Sequence, residues 1–292
     1  MKKVIIFGGY GFIGDALYEN LYKKKFKVLR YRNKTYSKKD RSVLYNQKNF
    51  QKIIKKNKPN FIYFLSGNSY PNNSLHNNTL DIKSNNLPLH ELLHALKNTK
   101  FKGLLIYTSS IAVYGNSKKK LIKETEKLNP TSNYALSKEI AEKQLIFFSK
   151  NFNLKVICLR LCSIYGPKLK RQIIYDLIKK TKFKKQIRLH GNEKDKRQFL
   201  FIEDCAEMLS RFCERKIKNY FNIFNISGGN LVSIKDISKK IQLILGENKK
   251  VIFLNKIKSP ALPSLSNSKF IKNFKNFKIT SLKQGIIKTI KM

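Results

Sequence analysis

An α/β fold with a doubly wound parallel sheet is what this sequence predicts, and three observations carry the prediction. Short, near-continuous apolar runs alternate with segments of 3.6-residue periodicity over the first two thirds of the chain. Parallel strands read that way, because crossover helices bury them on both faces. A glycine cluster stands directly between the first apolar run and the first periodic segment. After Gly166-Pro167 the pattern changes, and shorter strand-like runs point to a second, smaller C-terminal α/β lobe built around the carboxyl ends of the sheet, where open sheets bind ligands.

The elements follow in order. Val4 to Phe7 is an apolar run ended by glycine, too short for a helix, and reads as the first strand. Lys27 to Tyr31, Phe61 to Leu65, Leu104 to Thr108 and Lys155 to Leu161 are the further strands of the sheet. Helical periodicity fills the intervals at Asp15 to Lys24, Phe50 to Lys56, Leu87 to Lys97 and Tyr134 to Lys150. Beyond Pro167 the spacing predicts a helix at Gln172 to Lys180, strands at Gln186 to Leu189, Phe199 to Ile202 and Phe221 to Ile226, and a helix at Ser233 to Leu245. Residues 1–166, completed by about 199–226, are expected to form the sheet domain, and 167–198 with 227–292 the smaller substrate lobe.

Composition narrows the classes. The 292 residues hold 61 Lys+Arg against 18 Asp+Glu, a net charge of +43, with 41% hydrophobic residues. That apolar content excludes a disordered chain, and 13 Gly and 7 Pro exclude a collagen-like or low-complexity one. No apolar run approaches the roughly 20 residues that span a bilayer, so no membrane partner is expected. Lys is scattered along almost the whole chain beside many Asn, Ile, Phe and Tyr, all residues of A/T-rich codons. The charge therefore reads as a solvated, Lys-coated surface produced by nucleotide bias, and nucleic acid is not the expected partner. Cys158, Cys162, Cys205 and Cys213 form no C-x-x-C pair and read as buried thiols of a reducing compartment. Met1-Lys2-Lys3 and the four apolar residues after it are followed by no small-residue cleavage site, so a cytoplasmic location is expected. His90 and His94 stand i, i+4 on a predicted helix with no third ligand placed beside them, and no metal is expected.

Chemistry enters with Gly8-Gly9-Tyr10-Gly11-Phe12-Ile13-Gly14, four glycines in seven positions between a strand and a helix. Such a turn must take positive φ, let the backbone approach a pyrophosphate, and let helix and strand pack closely, with the anion on the helix N-terminus. Gly8, Gly11, Phe12, Ile13 and Gly14 are therefore candidate cofactor residues of a Rossmann-type dinucleotide fold. An NAD-binding protein ends its second strand in an acid that takes the ribose hydroxyls; here Arg32 stands in that place, and an arginine there pairs with a 2′-phosphate. NADP(H) is favoured over NAD(H), against the alternative that a Lys/Arg-rich composition supplied Arg32 by drift.

A tyrosine four residues before a lysine on a helix puts both side chains on one face, where the ammonium can lower the phenol's pKa. Three such pairs occur: Tyr114/Lys118, Tyr134/Lys138 and Tyr175/Lys179. Tyr114 sits at a strand-to-loop exit and Tyr175 lies in the second lobe, whereas Tyr134 begins the long helix after the fourth strand. Tyr134 and Lys138 are the catalytic candidates, the phenol passing a proton to or from a sugar or steroid hydroxyl while hydride moves to nicotinamide. Ser110, at the carboxyl end of the strand Leu104 to Thr108, is placed to hydrogen-bond the reacting oxygen.

These motifs resemble the extended short-chain dehydrogenase/reductases, within them the NAD-dependent epimerase/dehydratase group acting on nucleotide sugars. The resemblance runs through Gly8-x-x-Gly11-x-x-Gly14, Pro59 to Gly67, Ser109-Ser110-x-x-Val113-Tyr114-Gly115, Glu124-Thr125, Tyr134 to Lys138, Leu159 to Pro167 and Arg197 to Asp204. It implies that Tyr134 is the general acid/base, that Lys138 also binds the nicotinamide ribose, and that Ser110 polarises the substrate oxygen. It implies further that Asn85 is the asparagine in the helix after the third parallel strand, and that Arg197 contacts the diphosphate of the substrate. Ser163 stands where many members carry a substrate-binding asparagine. A homodimer through the helix of Tyr134 and its neighbour is a further implication.

Dehydratases of this group place an Asp-Glu pair or a lone Glu just after the catalytic hydroxyl, because eliminating water needs an acid and a base. Ile111-Ala112 occupies that stretch, which disfavours dehydration. The expected reaction is hydride transfer at a sugar carbon, C4 above all, by a ketoreductase that exchanges its cofactor or by an epimerase that keeps tightly bound NAD. Arg32 favours the reductase. A non-catalytic cofactor-sensing or RNA-binding protein of the same fold is the remaining alternative, and the intact Ser110, Tyr134 and Lys138 set argues against it. Loops at Lys168 to Gln186 and Asn255 to Ser266 would select the sugar.

Overall fold

Val4 and Ile6 join one hydrophobic cluster, Ile5 and Phe7 join another, and all four are buried. A strand with two buried faces belongs inside a sheet covered by helices on both sides. In the computed structural model, which describes residues 1–33, 41–68, 79–117, 119–193, 195–215, 219–254 and 264–291, that is its place.

The chain runs through β1 (Lys3–Phe7), α1 (Phe12–Lys23), β2 (Lys27–Asn33), β3 (Ser42–Val43), α2 (Gln47–Asn57) and β4 (Phe61–Phe64). A π-helical turn (Ile82–Asn86) leads into α3 (Leu87–Asn98), then β5 (Leu104–Ser110), a 3-10 turn (Ile111–Tyr114), β6 (Leu121–Ile122), α4 (Asn133–Phe152) and β7 (Lys155–Leu161). There follow β8 (Ser163–Tyr165), α5 (Gln172–Phe183), β9 (Ile187–His190), β10 (Lys196–Arg197), β11 (Phe199–Phe201), α6 (Ile202–Ser210) and β12 (Phe221–Ile226). The last described elements are β13 (Val232–Ser233), α7 (Ile234–Leu245), β14 (Val251–Leu254), β15 (Ser264–Leu265), α8 (Ser268–Asn273) and α9 (Leu282–Ile290).

Seven strands form one parallel sheet in the order β12-β7-β5-β4-β1-β2-β3. Chain order reverses between β1 and β4, so the connections leaving those two strands part in opposite directions and open a crevice at their carboxyl ends. The pairs β8 with β11, β9 with β14, β10 with β13 and β6 with β15 lie outside this sheet. The doubly wound α/β expectation is met, with element ends moved for local reasons. β5 continues past Thr108 to Ser110 because Ser110 still pairs with Leu161 of β7. α1 starts at Phe12, ahead of the apolar periodicity, because Gly11 is its N-cap. No helix among the described residues is long and apolar enough to cross a membrane.

Candidate active site

β1 ends at Phe7 and the chain must turn at once to enter α1. Gly8 makes the turn at φ +82, in the left-handed region, with its N–H on Tyr31 O at 2.9 Å. A Cβ at Gly14 would run into Gly8 O and Gly9 Cα, so glycine there lets α1 come down onto the strand. Gly11 differs from both. It is the N-cap of α1 at φ −79, supplies no side-chain cap, and an added Cβ would meet only Gly8 O, at 3.3 Å. Gly11, Phe12, Ile13 and Gly14 all line the cleft, so the first turn of α1 offers its unsatisfied N–H groups there to an anion. That cradle fits the pyrophosphate of a dinucleotide.

Arg32 and Asn33, at the end of β2, line the same cleft. The Arg32 guanidinium lies 3.9 Å from the centre of the Tyr10 ring, and that of Arg30 lies 4.3 Å from it. Arg30 is committed to Asp15 at 2.8 Å, and Lys168 reaches the same carboxylate at 3.2 Å. Burial pulls the Asp15 carboxyl up, but hydrogen bonds from Arg30 and Lys168 outweigh it and hold the group below its ordinary value. Arg30 thus braces α1, and of the two Arg32 is the one that lines the cleft.

The catalytic candidates arrive on β5 and α4. Ser132 Oγ accepts the Ala135 N–H at 3.2 Å and starts α4, which puts Tyr134 in its first turn and Lys138 one turn on. Ser110 Oγ accepts the Ala112 N–H at 3.2 Å, and Ser110 and Tyr134 line the same cleft. Lys138 Nζ donates to Tyr107 Oη and to Thr108 O, each at 3.1 Å, and lies 6.0 Å from the centre of the Tyr134 ring. The expectation that this ammonium lowers the phenol is corrected. Burial pushes Tyr134 above its ordinary value; Ser110 and Arg171 oppose the rise, and Asp81 adds to it. Two Lys138 N–H groups are spent on β5, and burial brings its own pKa down to about 8.

Asn85 is placed differently from the other candidates. It is absent from the cleft lining, and its Nδ2 donates to Ser137 Oγ at 3.0 Å and to Asp81 Oδ1 at 3.3 Å. It stands in a π-helical turn and holds α4 through Ser137. Asn86, which sequence reasoning missed, grips the same residue by donating to Ser137 O at 2.8 Å. Asp81 was missed as well: it is only 2% exposed, takes Asn68 Nδ2 at 2.8 Å, and its charge reaches both Tyr134 and Lys138. The adjacent Asn85-Asn86 pair was the one signal available; nothing marks Asp81 in a chain read without its partners.

One cleft of about 750 Å³ gathers Gly8, Gly11, Phe12, Ile13, Gly14, Arg32, Ser110, Tyr134, Lys138, Ser163 and Arg197. Arg171, unforeseen, lines it too. Burial lowers the Arg197 pKa and Asp195 opposes the shift. Among the described lining residues four carry positive charge and none is an acid, so the cleft suits a ligand with several negative charges. A larger hollow, about 1100 Å³, opens at the amino ends of β4, β5 and β7 beside Phe61, Leu104 and Lys155, and holds none of these residues.

The other candidates resolve into structure. Tyr114 Oη accepts from Arg160 Nη1 at 2.7 Å and donates to Asn225 Oδ1 at 2.8 Å, inside the protein; Lys118 lies outside the described residues, as does 255–263 of the expected sugar-selecting loop. The four cysteines are free and buried. The His90 and His94 rings lie 4.5 Å apart, tilted by 58°, and against Phe148, and among the described residues no group of three potential metal ligands occurs.

A sheet that reverses between β1 and β4, a glycine turn that ends in a bare helix N-terminus, and a tyrosine, lysine and serine at one crevice define a dinucleotide-binding fold of the Rossmann class. A sequence model of the NAD dependent epimerase/dehydratase family matches residues 4–227, and the chain belongs to that family. It is 30% identical over 270 residues to the dTDP-D-glucose 4,6-dehydratase of Dictyostelium discoideum, covering 82% of this chain and 62% of that protein, so it spans less than two thirds of that relative's length. The dTDP-4-dehydro-6-deoxyglucose reductase of Escherichia coli is 26% identical over 270 residues, covering 85% of this chain and 83% of that one. In fold the chain is similar to the UDP-glucose 4-epimerase of Thermus thermophilus in complex with NAD, with a TM-score of 0.87 at 20% identity, over 99% of this chain and 98% of that one.

Proposed function

We propose that the protein is an NAD(P)-dependent oxidoreductase that transfers hydride at C4 of a nucleotide-activated sugar, acting as a ketoreductase. The observation that carries this reading is the single cleft that gathers Ser110, Tyr134, the glycine turn and four cations, Lys138 among them. The cofactor supplies or accepts the hydride. Gly11 and the first turn of α1 would hold its pyrophosphate, Arg32 a 2′-phosphate, and Lys138 the nicotinamide ribose. Tyr134 delivers or removes the hydroxyl proton, Ser110 orients the oxygen that bears it, and Arg197, Arg171 and Ser163 hold the nucleotide diphosphate and sugar. Arg32 supports NADP(H) over NAD(H), since a guanidinium matches a phosphate in geometry and charge.

Dehydration fits less well, although one relative carries that activity in its name. Ile111 and Ala112 follow Ser110, and no carboxylate stands among the described lining residues to serve as the acid or base of an elimination. Residues 1–166 with 199–226 form the cofactor domain in this reading, and 167–198 with 227–292 the substrate lobe. The exposed Leu87, Leu136, Phe147 and Phe152 on α3 and α4 support a homodimer through those helices. Four buried free thiols fit a cytoplasmic setting.

The test is mass spectrometry of the copurified nucleotide, followed by turnover of a nucleotide-sugar panel with NADPH and NADH, with Tyr134→Phe as control. Exchangeable NADP and reduction of a 4-keto sugar, lost in the variant, are expected. Tightly held NAD with C4 inversion would mark the epimerase instead. Retention of RNA at physiological salt with no turnover would overturn the enzyme reading.

A further inference from the structure

Lys138 is anchored to two neutral oxygens of one strand, and no carboxylate among the described residues touches it. Tyr107, on β5, is 1% exposed; its ring stacks on Phe64 with centres 6.4 Å apart, and it sits opposite Cys158 of β7. A phenylalanine would fill that space equally well. A buried hydroxyl is costly without a partner, and the partner here is Lys138 Nζ, at 3.1 Å. We propose that Tyr107 is a positioning residue which, with Thr108 O, aims the Lys138 amine into the cleft and sets the pH range over which that amine grips the cofactor. The inference rests on the reading above that Lys138 holds the nicotinamide ribose.

The geometry makes the anchor directional. An ammonium has three N–H groups. Tyr107 Oη and Thr108 O take two of them on the β5 side, and Lys138 also lines the cleft, so the third is left for a ligand. The titratable groups around the amine come from four elements: Tyr107 from β5, Cys158 from β7, Tyr134 and Glu142 from α4, and Asp81 from the turn before α3. Burial pushes the Tyr107 phenol and the Cys158 thiol well up, so both stay neutral. Glu142 is engaged by Arg160 and Ser109, and Asp81 by Asn68 and Asn85. An acceptor that bonds the ammonium favours its charged form. Removing the Tyr107 oxygen therefore makes the amine lose its proton at lower pH, and the ribose loses its donor.

The experiment titrates the wild type and Tyr107→Phe with NADPH and NADH, following reduced-nicotinamide fluorescence across the pH range that brackets the Lys138 titration. Wild-type affinity is expected to fall as pH rises, and Lys138→Met to remove that dependence. Tyr107→Phe should move the midpoint about 0.5 to 1 unit to lower pH, the size expected for one hydrogen bond, with its melting temperature held close to the wild type's. Tyr107→His keeps a ring and an acceptor nitrogen and should restore the midpoint; it is also the variant to measure should the phenylalanine protein not fold. Equal midpoints for wild type and Tyr107→Phe, or an equal acid shift in both variants, overturn the inference and leave the cofactor reading standing. Absence of any wild-type response to either nucleotide overturns that reading and this inference with it.

Discussion

Glu142 Oε2 and Arg160 Nη2 meet at 2.7 Å, with side chains 2% and 3% exposed, and so fasten α4, the helix of Tyr134 and Lys138, to β7. The same carboxylate takes Ser109 Oγ at 2.5 Å, next in sequence to Ser110. Two charges taken out of water must satisfy each other, so losing either leaves the other stranded. Glu142→Gln and Arg160→Met are each expected to cost about 3 to 5 kcal/mol in urea unfolding. The double variant should lose less than the sum of the two. A double-mutant cycle that is simply additive would show that the pair is not coupled.

Gly11 and Gly14 are expected to fail in different ways. An alanine Cβ at Gly14 collides with backbone at Gly8 and Gly9 and forces α1 off the sheet. Gly14→Ala should therefore lower stability by about 1 to 3 kcal/mol, as overpacking does. At Gly11 the added methyl meets little but Gly8 O, at an ordinary φ, and projects where the pyrophosphate is proposed to lie. Gly11→Ala should keep the wild-type melting temperature and lose at least about tenfold in NADPH affinity, roughly 1.4 kcal/mol. A destabilised Gly11→Ala with unchanged affinity would remove the glycine turn from the cofactor site.

How far the fold and site could be read in advance follows from which interactions are local. The sheet was legible because strands such as β1 and β7 are nearly continuous apolar runs, a pattern that burial on both faces enforces. Gly8, Gly14 and the Tyr134/Lys138 pair were legible because turn geometry and the helical repeat are set within a few residues. Whether Lys138 faces Tyr134 or β5 is decided by Tyr107, 31 positions away, and by Thr108 O. Asp81 and Arg171 gain meaning only from packing across the chain. A periodicity can put two side chains on one face without saying which neighbour the amine prefers.

Arg32 offers a charge-reversal test. Its guanidinium lies on Tyr10 at the end of β2, where an acid would favour ribose hydroxyls and repel a phosphate. Arg32→Asp is expected to weaken NADPH binding about 10- to 100-fold, the range for charge-assisted hydrogen bonds of about 1.5 to 3 kcal/mol, and to leave NADH binding unchanged or tighter. Fluorescence titration with both nucleotides reads the ratio. An equal loss for the two would mean that Arg32 supports the loop without reading the phosphate.

Burying Lys138 links stability to pH in a direction opposite to that of a salt-bridged lysine. Its folded pKa, brought down to about 8 by desolvation, lies below the roughly 10.4 of an unfolded chain. Below about pH 8 the amine is charged in both states, and its burial weakens the folded state by roughly 3 kcal/mol. Between the two values the unfolded chain holds a proton that the folded protein has released, so stability rises with pH through that window. Methionine at this position carries no charge and cannot contribute to the slope. The stability of the wild type relative to Lys138→Met should therefore increase from neutral pH to about pH 10, when urea unfolding is measured in parallel so that the many surface lysines cancel. A difference that stays flat, or runs the other way, would show that burial does not lower the amine in the folded protein.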